Sequence, residues 1–81
     1  MNPNEKTPFF IVNPVSGGGR GKKQWPKIQR KIESILGAYE VVFTQGSKDA
    51  TVQTQKAIEA GYRSIISVGG DGTLNEVVNG L

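Results

Sequence analysis

Three short apolar runs, each followed by a segment with helical spacing, constrain this chain more than any other feature. The first is Pro8-Phe-Phe-Ile-Val-Asn13, closed by Asn13-Pro14 and then by glycines. A continuous apolar run bounded by turn residues is the pattern of a strand covered on both faces, as in a parallel sheet. From Lys22 onward, Trp25, Ile28, Ile32, Ile35 and Leu36 recur at i, i+3, i+7, i+10 and i+11, one face of a helix. Proline is comfortable only in a first helical turn, so Pro26 predicts a start near Gln24 or Trp25, and Gly37 is a natural stop.

Tyr39-Glu-Val-Val-Phe-Thr44 reads as a second strand. Ser47 is placed to cap a helix over Lys48–Ala60, with Asp49 at its positive dipole end and Gly61 closing it. The stripe of Ala50, Thr54, Ala57 and Ile58 is weakly apolar, which predicts a peripheral helix. Ser64-Ile-Ile-Ser-Val68 is a third strand, and Gly69-Gly-Asp-Gly72 follows at once. Thr73 and Glu76 have capping-box spacing, and Leu74, Val77, Val78 and Leu81 form the face of a helix that has just begun. The order predicts an α/β fold, a three-layer parallel sheet of Rossmann-like βαβαβα connectivity. Residues 1–7 are expected to form a disordered tail, and residues 8–81 the domain itself.

Composition narrows the chemistry. The 81 residues contain no cysteine and no histidine, which excludes disulfides, His/Cys zinc sites and any catalytic thiol or imidazole. The longest apolar runs fall far short of the roughly 20 residues a membrane span needs, and the N-terminus lacks the pattern of a signal peptide. A cytoplasmic protein is expected. Charge is uneven: residues 1–31 carry seven basic side chains against one acidic, and residues 32–81 three against six. The basic third suggests an anionic partner, with a solvated helix face as the alternative. Nucleic acid is disfavoured, because the only aromatic among those cations, Trp25, has the spacing of a core residue.

In a parallel sheet, ligands bind beyond the carboxyl ends of the strands. Two of those ends carry glycine-rich turns leading towards helices, Asn13-Pro-Val-Ser-Gly-Gly-Gly-Arg-Gly21 and Gly69-Gly-Asp-Gly-Thr73. Main-chain amides in such turns approach a ligand closely, and with a helix N-terminus behind them they suit phosphate. The spacing at the first turn fits neither a Walker A loop nor G-x-G-x-x-G. Ordinary connections, with Asp71 acting merely as a cap, remain the alternative.

Gly69-Gly-Asp-Gly-Thr-Leu-Asn-Glu-Val-Val-Asn-Gly-Leu81 resembles the nucleotide-binding signature of the diacylglycerol kinase catalytic domain family, in its bacterial soluble lipid kinase branch, related to sphingosine and ceramide kinases. Phe10-Ile-Val-Asn-Pro-Val-Ser-Gly-Gly-Gly-Arg-Gly21 is similar to that family's opening strand and loop, and Val42-Phe-Thr44 to its second strand. The tetrad alone is shared with NAD kinases and phosphofructokinases. The Asn-Pro-x-Ser-Gly loop together with Asn75-Glu-Val-Val is more specific.

The resemblance implies that this is the N-terminal part of a lipid kinase nucleotide-binding domain. It implies that Asn13, Pro14, Val15, Ser16 and Gly17 line ATP on one side and that Thr44 reaches it from the second strand. Gly69, Gly70, Asp71 and Gly72, with Thr73, Leu74 and Asn75, would wrap the phosphates, and Asp71 would orient Mg²⁺ through the phosphates or a water. The implied reaction is ATP-dependent phosphorylation of a diacylglycerol-like lipid, with peripheral contact at a membrane surface. In that reading no catalytic base lies among these residues, the base following Leu81, and the chain alone is inactive. An NAD kinase-like enzyme and a non-catalytic nucleotide- or anion-binding fragment are the alternatives.

Overall fold

The computed structural model describes residues 6–81, so all but the end of the expected tail at 1–7 lies outside the described residues. Strand β1 (Phe9–Val12) leads to helix α1 (Ser16–Ile35), then β2 (Glu40–Phe43), α2 (Asp49–Glu59), β3 (Ile65–Val68) and α3 (Asp71–Gly80). The sheet order is β2-β1-β3, and both pairings are parallel. Phe9 stands opposite Glu40 on one side and Ile65 on the other; Val12 stands opposite Phe43 and Val68.

The central position of β1 accounts for its unbroken apolar run. Alternate side chains of a strand point to opposite faces, and here both faces are covered. Phe10 and Val12 pack with Trp25 and Ile32 of α1, supported by Ile28, Tyr39, Val41 and Val68. Ile11 packs on the other face with Ala50 of α2 and Val77 of α3. Helix α1 therefore forms one outer layer and the packed pair α2 and α3 the other, giving the three layers expected. Thr54 is fully buried because its hydroxyl donates to the Ala50 carbonyl at 2.7 Å. Thr51 donates to the Glu76 carbonyl at 2.7 Å and ties α2 to α3.

Several local expectations are corrected. Helix α1 starts well before Gln24: after a left-handed run at Gly17, Gly18 and Gly19, regular helical dihedrals begin at Arg20, and Pro26 lies inside the helix. Proline deprives the Lys22 carbonyl of its i+4 donor, but both residues are exposed, so water can take the donor's place. Ile35 and Leu36 are exposed rather than part of the buried stripe, because the helix runs past the edge of the core before Gly37 ends it at φ 78°. Ile58 is likewise outside the core, and α2 contributes to it through Ala50 and Ala57.

Ser47 does not cap α2. Lys48 occupies the cap position with φ 67°, and the Asp49 carboxylate turns back to accept the Gln45 N–H at 2.9 Å. The capping box at Thr73 and Glu76 is also absent: α3 begins three residues earlier, with Gly70 rather than Thr73 at the cap position. Of the stripe predicted for α3, Val77 is buried, whereas Leu74, Val78 and Leu81 are at least half exposed.

Candidate functional site

β1 and β3 are neighbours in the sheet, yet the chain leaves their carboxyl ends towards opposite faces, into α1 and into α3. Connections that part in this way open a crevice between the two strand ends, the topological switch point of an α/β sheet. Both glycine-rich turns meet there. The Asn13 N–H donates to the Val68 carbonyl at 2.9 Å, extending the sheet by one residue into the crevice.

Asn13 organises the first turn. Its side-chain oxygen accepts the Val15 N–H at 3.1 Å, and its backbone carbonyl accepts the Ser16 N–H at 3.3 Å. Asparagine side chains close such turns because they imitate a backbone acceptor. The carbonyl of Pro14 accepts the Lys22 N–H at 3.1 Å, folding the loop onto the start of α1. Between these bonds Gly17, Gly18 and Gly19 take φ values of 61, 71 and 98°. Three consecutive left-handed residues would strain any side chain with a Cβ, which explains the glycine run better than flexibility does.

The second turn is anchored to the first. The Asn13 side-chain amide donates to the Thr73 hydroxyl at 3.2 Å. Thr73 is buried, and a Cβ on Gly69 would lie 2.5 Å from its Oγ1 and 3.3 Å from the Asn13 Cβ. Gly69 is thus required for close approach. Ser16 and Gly70 face each other, a Cβ on Gly70 falling 3.7 Å from the Ser16 Oγ. No side chain caps α3, so the main-chain N–H groups of its first turn, including those of the exposed Asp71 and Gly72, have no partner in the helix. Those amides and the helix dipole favour an anion at this point.

Two clefts flank the Asn13–Thr73 bond. One, of about 360 Å³, is lined by Asn13, Val15, Thr44 and Thr73 together with Gln45, Gly46, Ser47, Ala50 and Glu76. The other, of about 320 Å³, brings Ser16, Gly17, Gly69 and Gly70 together with Arg20, Gly21 and Gln24. Thr44 is buried at the end of β2, its N–H donating to the Val12 carbonyl at 2.8 Å. Eight of the thirteen residues expected to contact one nucleotide are therefore divided between these two hollows. Pro14 belongs to neither and lines an apolar groove beside α1. Asp71, Gly72 and Leu74 sit on the exposed first turn of α3, and Asn75 faces a groove shared with Lys48 and Thr51 of the α2 side.

Gln45, Gly46 and Ser47 were not foreseen as lining residues, although their place immediately after a strand end is the signal that could have marked them. Arg20, which belongs both to the first glycine-rich turn and to the basic run, is the cation that reaches the Gly69–Gly70 hollow. Among the described residues no three Asp or Glu side chains gather into a metal site. The lone Asp71 fits Mg²⁺ only in the form in which one carboxylate and the phosphates of a ligand share the ion.

The model of the diacylglycerol kinase catalytic domain matches residues 7–81. The chain is similar to diacylglycerol kinase of Staphylococcus carnosus (strain TM300), 41% identical over 72 residues, covering 89% of this chain and 24% of that protein. Diacylglycerol kinase of Staphylococcus haemolyticus (strain JCSC1435) is also 41% identical over 72 residues, with 22% of its length covered. Among solved structures, a candidate diacylglycerol kinase from Bacillus anthracis str. Sterne superimposes with a TM-score of 0.80 at 32% identity, over 93% of this chain and 27% of that one. The chain spans about a quarter of the length of the curated relatives it matches.

Proposed function

This chain belongs to the diacylglycerol kinase catalytic domain family, and from that premise we propose that it supplies part of the ATP site of an enzyme that phosphorylates a lipid hydroxyl, with a diacylglycerol-like lipid as acceptor. The observation that carries this reading is the junction of the two glycine turns at the β1/β3 crevice, where Asn13 and Thr73 are joined directly.

Phosphoryl transfer asks little covalent chemistry of a protein; it asks for positioning and for neutralised charge. The lipid hydroxyl oxygen bonds to the γ-phosphorus, the bond from phosphorus to the bridging oxygen breaks, and ADP leaves with that electron pair. In this reading the α3 amides and Arg20 hold phosphate oxygens, while Asn13, Val15 and Thr44 line the nucleotide from the other cleft. Gly69 keeps the phosphate approach open by letting Thr73 and Asn13 close beneath it. Mg²⁺, held by the phosphates and by Asp71 directly or through water, would neutralise charge on the transferring group. The hydroxyl proton passes to a base, and we assign no residue of this chain to that role.

The test is ATP-dependent phosphorylation of diacylglycerol dispersed in detergent micelles by the full-length protein. Asp71→Ala is expected to remove most of that activity while the protein stays folded. Full turnover by that variant would overturn the phosphate-site assignment.

A further inference from the structure

We propose that residues 16–19 form a hinged strap that closes over the phosphates of a bound nucleotide and carries Arg20 onto them, an inference that rests on the ATP-site reading above. The two ends of the loop are fixed to each other. The Lys22 N–H donates to the Pro14 carbonyl at 3.1 Å, and the Gly21 main chain lies so close to the Asn13 carbonyl that a Cβ would overlap it. Asn13 is itself bonded to the Val68 carbonyl and the Thr73 hydroxyl, and the buried Trp25 holds the helix just beyond Lys22. Between these ends the crown is barely packed. A Cβ on Gly18 or Gly19 would meet no atom within 4 Å. The Ser16 and Gly19 N–H groups reach the Asn13 and Val15 carbonyls at 3.3 Å each, long for such bonds. Glycine is needed for this left-handed turn, and the same lack of side chains leaves it little buried surface to resist opening.

The crown faces the place where phosphate is expected. Ser16, Gly17 and Arg20 line the hollow together with Gly69 and Gly70. As first-turn residues of α1, Gly17 and Gly18 have no acceptor within the helix for their N–H groups. An anion held on the α3 amides attracts both those N–H groups and the Arg20 guanidinium. The Arg20 side chain lies against Gly17, its nearest atoms 3.5 Å from an added Cβ, so the charge travels with the crown. A ligand shifts a conformational equilibrium only by binding one state better than the other. The closed strap supplies that difference, because it adds donors and a cation to what α3 alone offers. Closure also keeps water from the phosphates, which favours transfer to a lipid hydroxyl over hydrolysis.

The experiment is amide hydrogen exchange of the full-length protein, read on peptides covering residues 15–21 and 71–76. It is run without ligand, with Mg²⁺ and a non-hydrolysable ATP analogue, and with adenosine. Exchange over 15–21 is expected to be fast without ligand, to slow at least about tenfold with the ATP analogue, and to ignore adenosine. Arg20→Met is expected to abolish most of that slowing while 71–76 still responds, and Arg20→Lys to restore part of it. Equal slowing by adenosine, protection of 15–21 already complete without ligand, or a full response in Arg20→Met would overturn the proposal. The two readings fail differently. Protection of 71–76 by the analogue with no change over 15–21 counts against the strap alone, whereas no response in either peptide removes the ATP-site reading and the strap with it.

Discussion

The side-chain amide of Asn13 donates to the hydroxyl of Thr73 across sixty residues of sequence, at 3.2 Å. This bond joins the loop after the first strand to the helix after the third, so each glycine turn is held in register by the other. Asn13→Ala removes that bond and the turn closure at Val15 together. It is expected to cost about 1–3 kcal/mol of stability, because the buried Thr73 hydroxyl loses its partner. Thr73→Ala should cost less, and the double substitution less than the sum of the two. Denaturant midpoints for the four proteins check this; strict additivity would mean that the bond contributes nothing.

Gly69 and Gly70 are adjacent but should fail differently. Gly69→Ala pushes a methyl group against Thr73 and is expected to destabilise the fold by about 1–3 kcal/mol, as overpacking does. Gly70→Val meets only Ser16, at an ordinary contact distance for its Cβ, so the protein should stay folded. Its side chain would nevertheless fill the approach to the α3 amides, and nucleotide affinity is expected to fall at least about tenfold, about 1.4 kcal/mol. Thermal unfolding and titration with ATP distinguish the two outcomes, and unchanged ATP affinity in Gly70→Val would remove the case for a phosphate cradle.

At Gly18 the expected effect is purely conformational. No atom lies within 4 Å of an added Cβ, yet φ is 71°, so Gly18→Ala should cost about 1–2 kcal/mol through backbone strain alone. A melting temperature unchanged by this substitution would show that the loop relaxes to another conformation at no cost.

Trp25 is the largest side chain in the cluster that fastens α1 to the sheet, and it contacts both Phe10 and Phe43. Trp25→Ala is expected to lose about 3–5 kcal/mol. Thermal unfolding followed by circular dichroism should report the loss directly.

The strands and the layer order were legible in the sequence because a central parallel strand must be apolar on both faces, and Phe9–Val12 is. The ends of the helices were less legible. Thr73 and Glu76 have the spacing of a local cap, but a local pattern cannot weigh the distant Asn13 that takes the Thr73 hydroxyl instead. Ser47 lost the cap position to a left-handed Lys48, a conformation that no propensity favours for lysine. Pro26 misled in the other direction: its cost falls on a carbonyl that solvent can reach, and exposure is a tertiary property. The sequence places both glycine turns at strand ends, whereas their meeting depends on the sheet order β2-β1-β3 and their division into two clefts on the opposite departures of the chain from β1 and β3.

The sheet order has a consequence for the order of events during synthesis. β1 is made first, and β2 and β3 each pair only with it among the described strands. The partner that completes the crevice, Ile65–Val68, is separated from β1 by the whole of α1, β2 and α2. Closing a loop of that length is a slow, entropically opposed step, more so than the β1–β2 pairing that precedes it. A nascent chain that has emerged only as far as α2 therefore exposes one bare edge of its most apolar strand and has no crevice at all. The same pairing that assembles the site ends the period in which that edge is open to other chains.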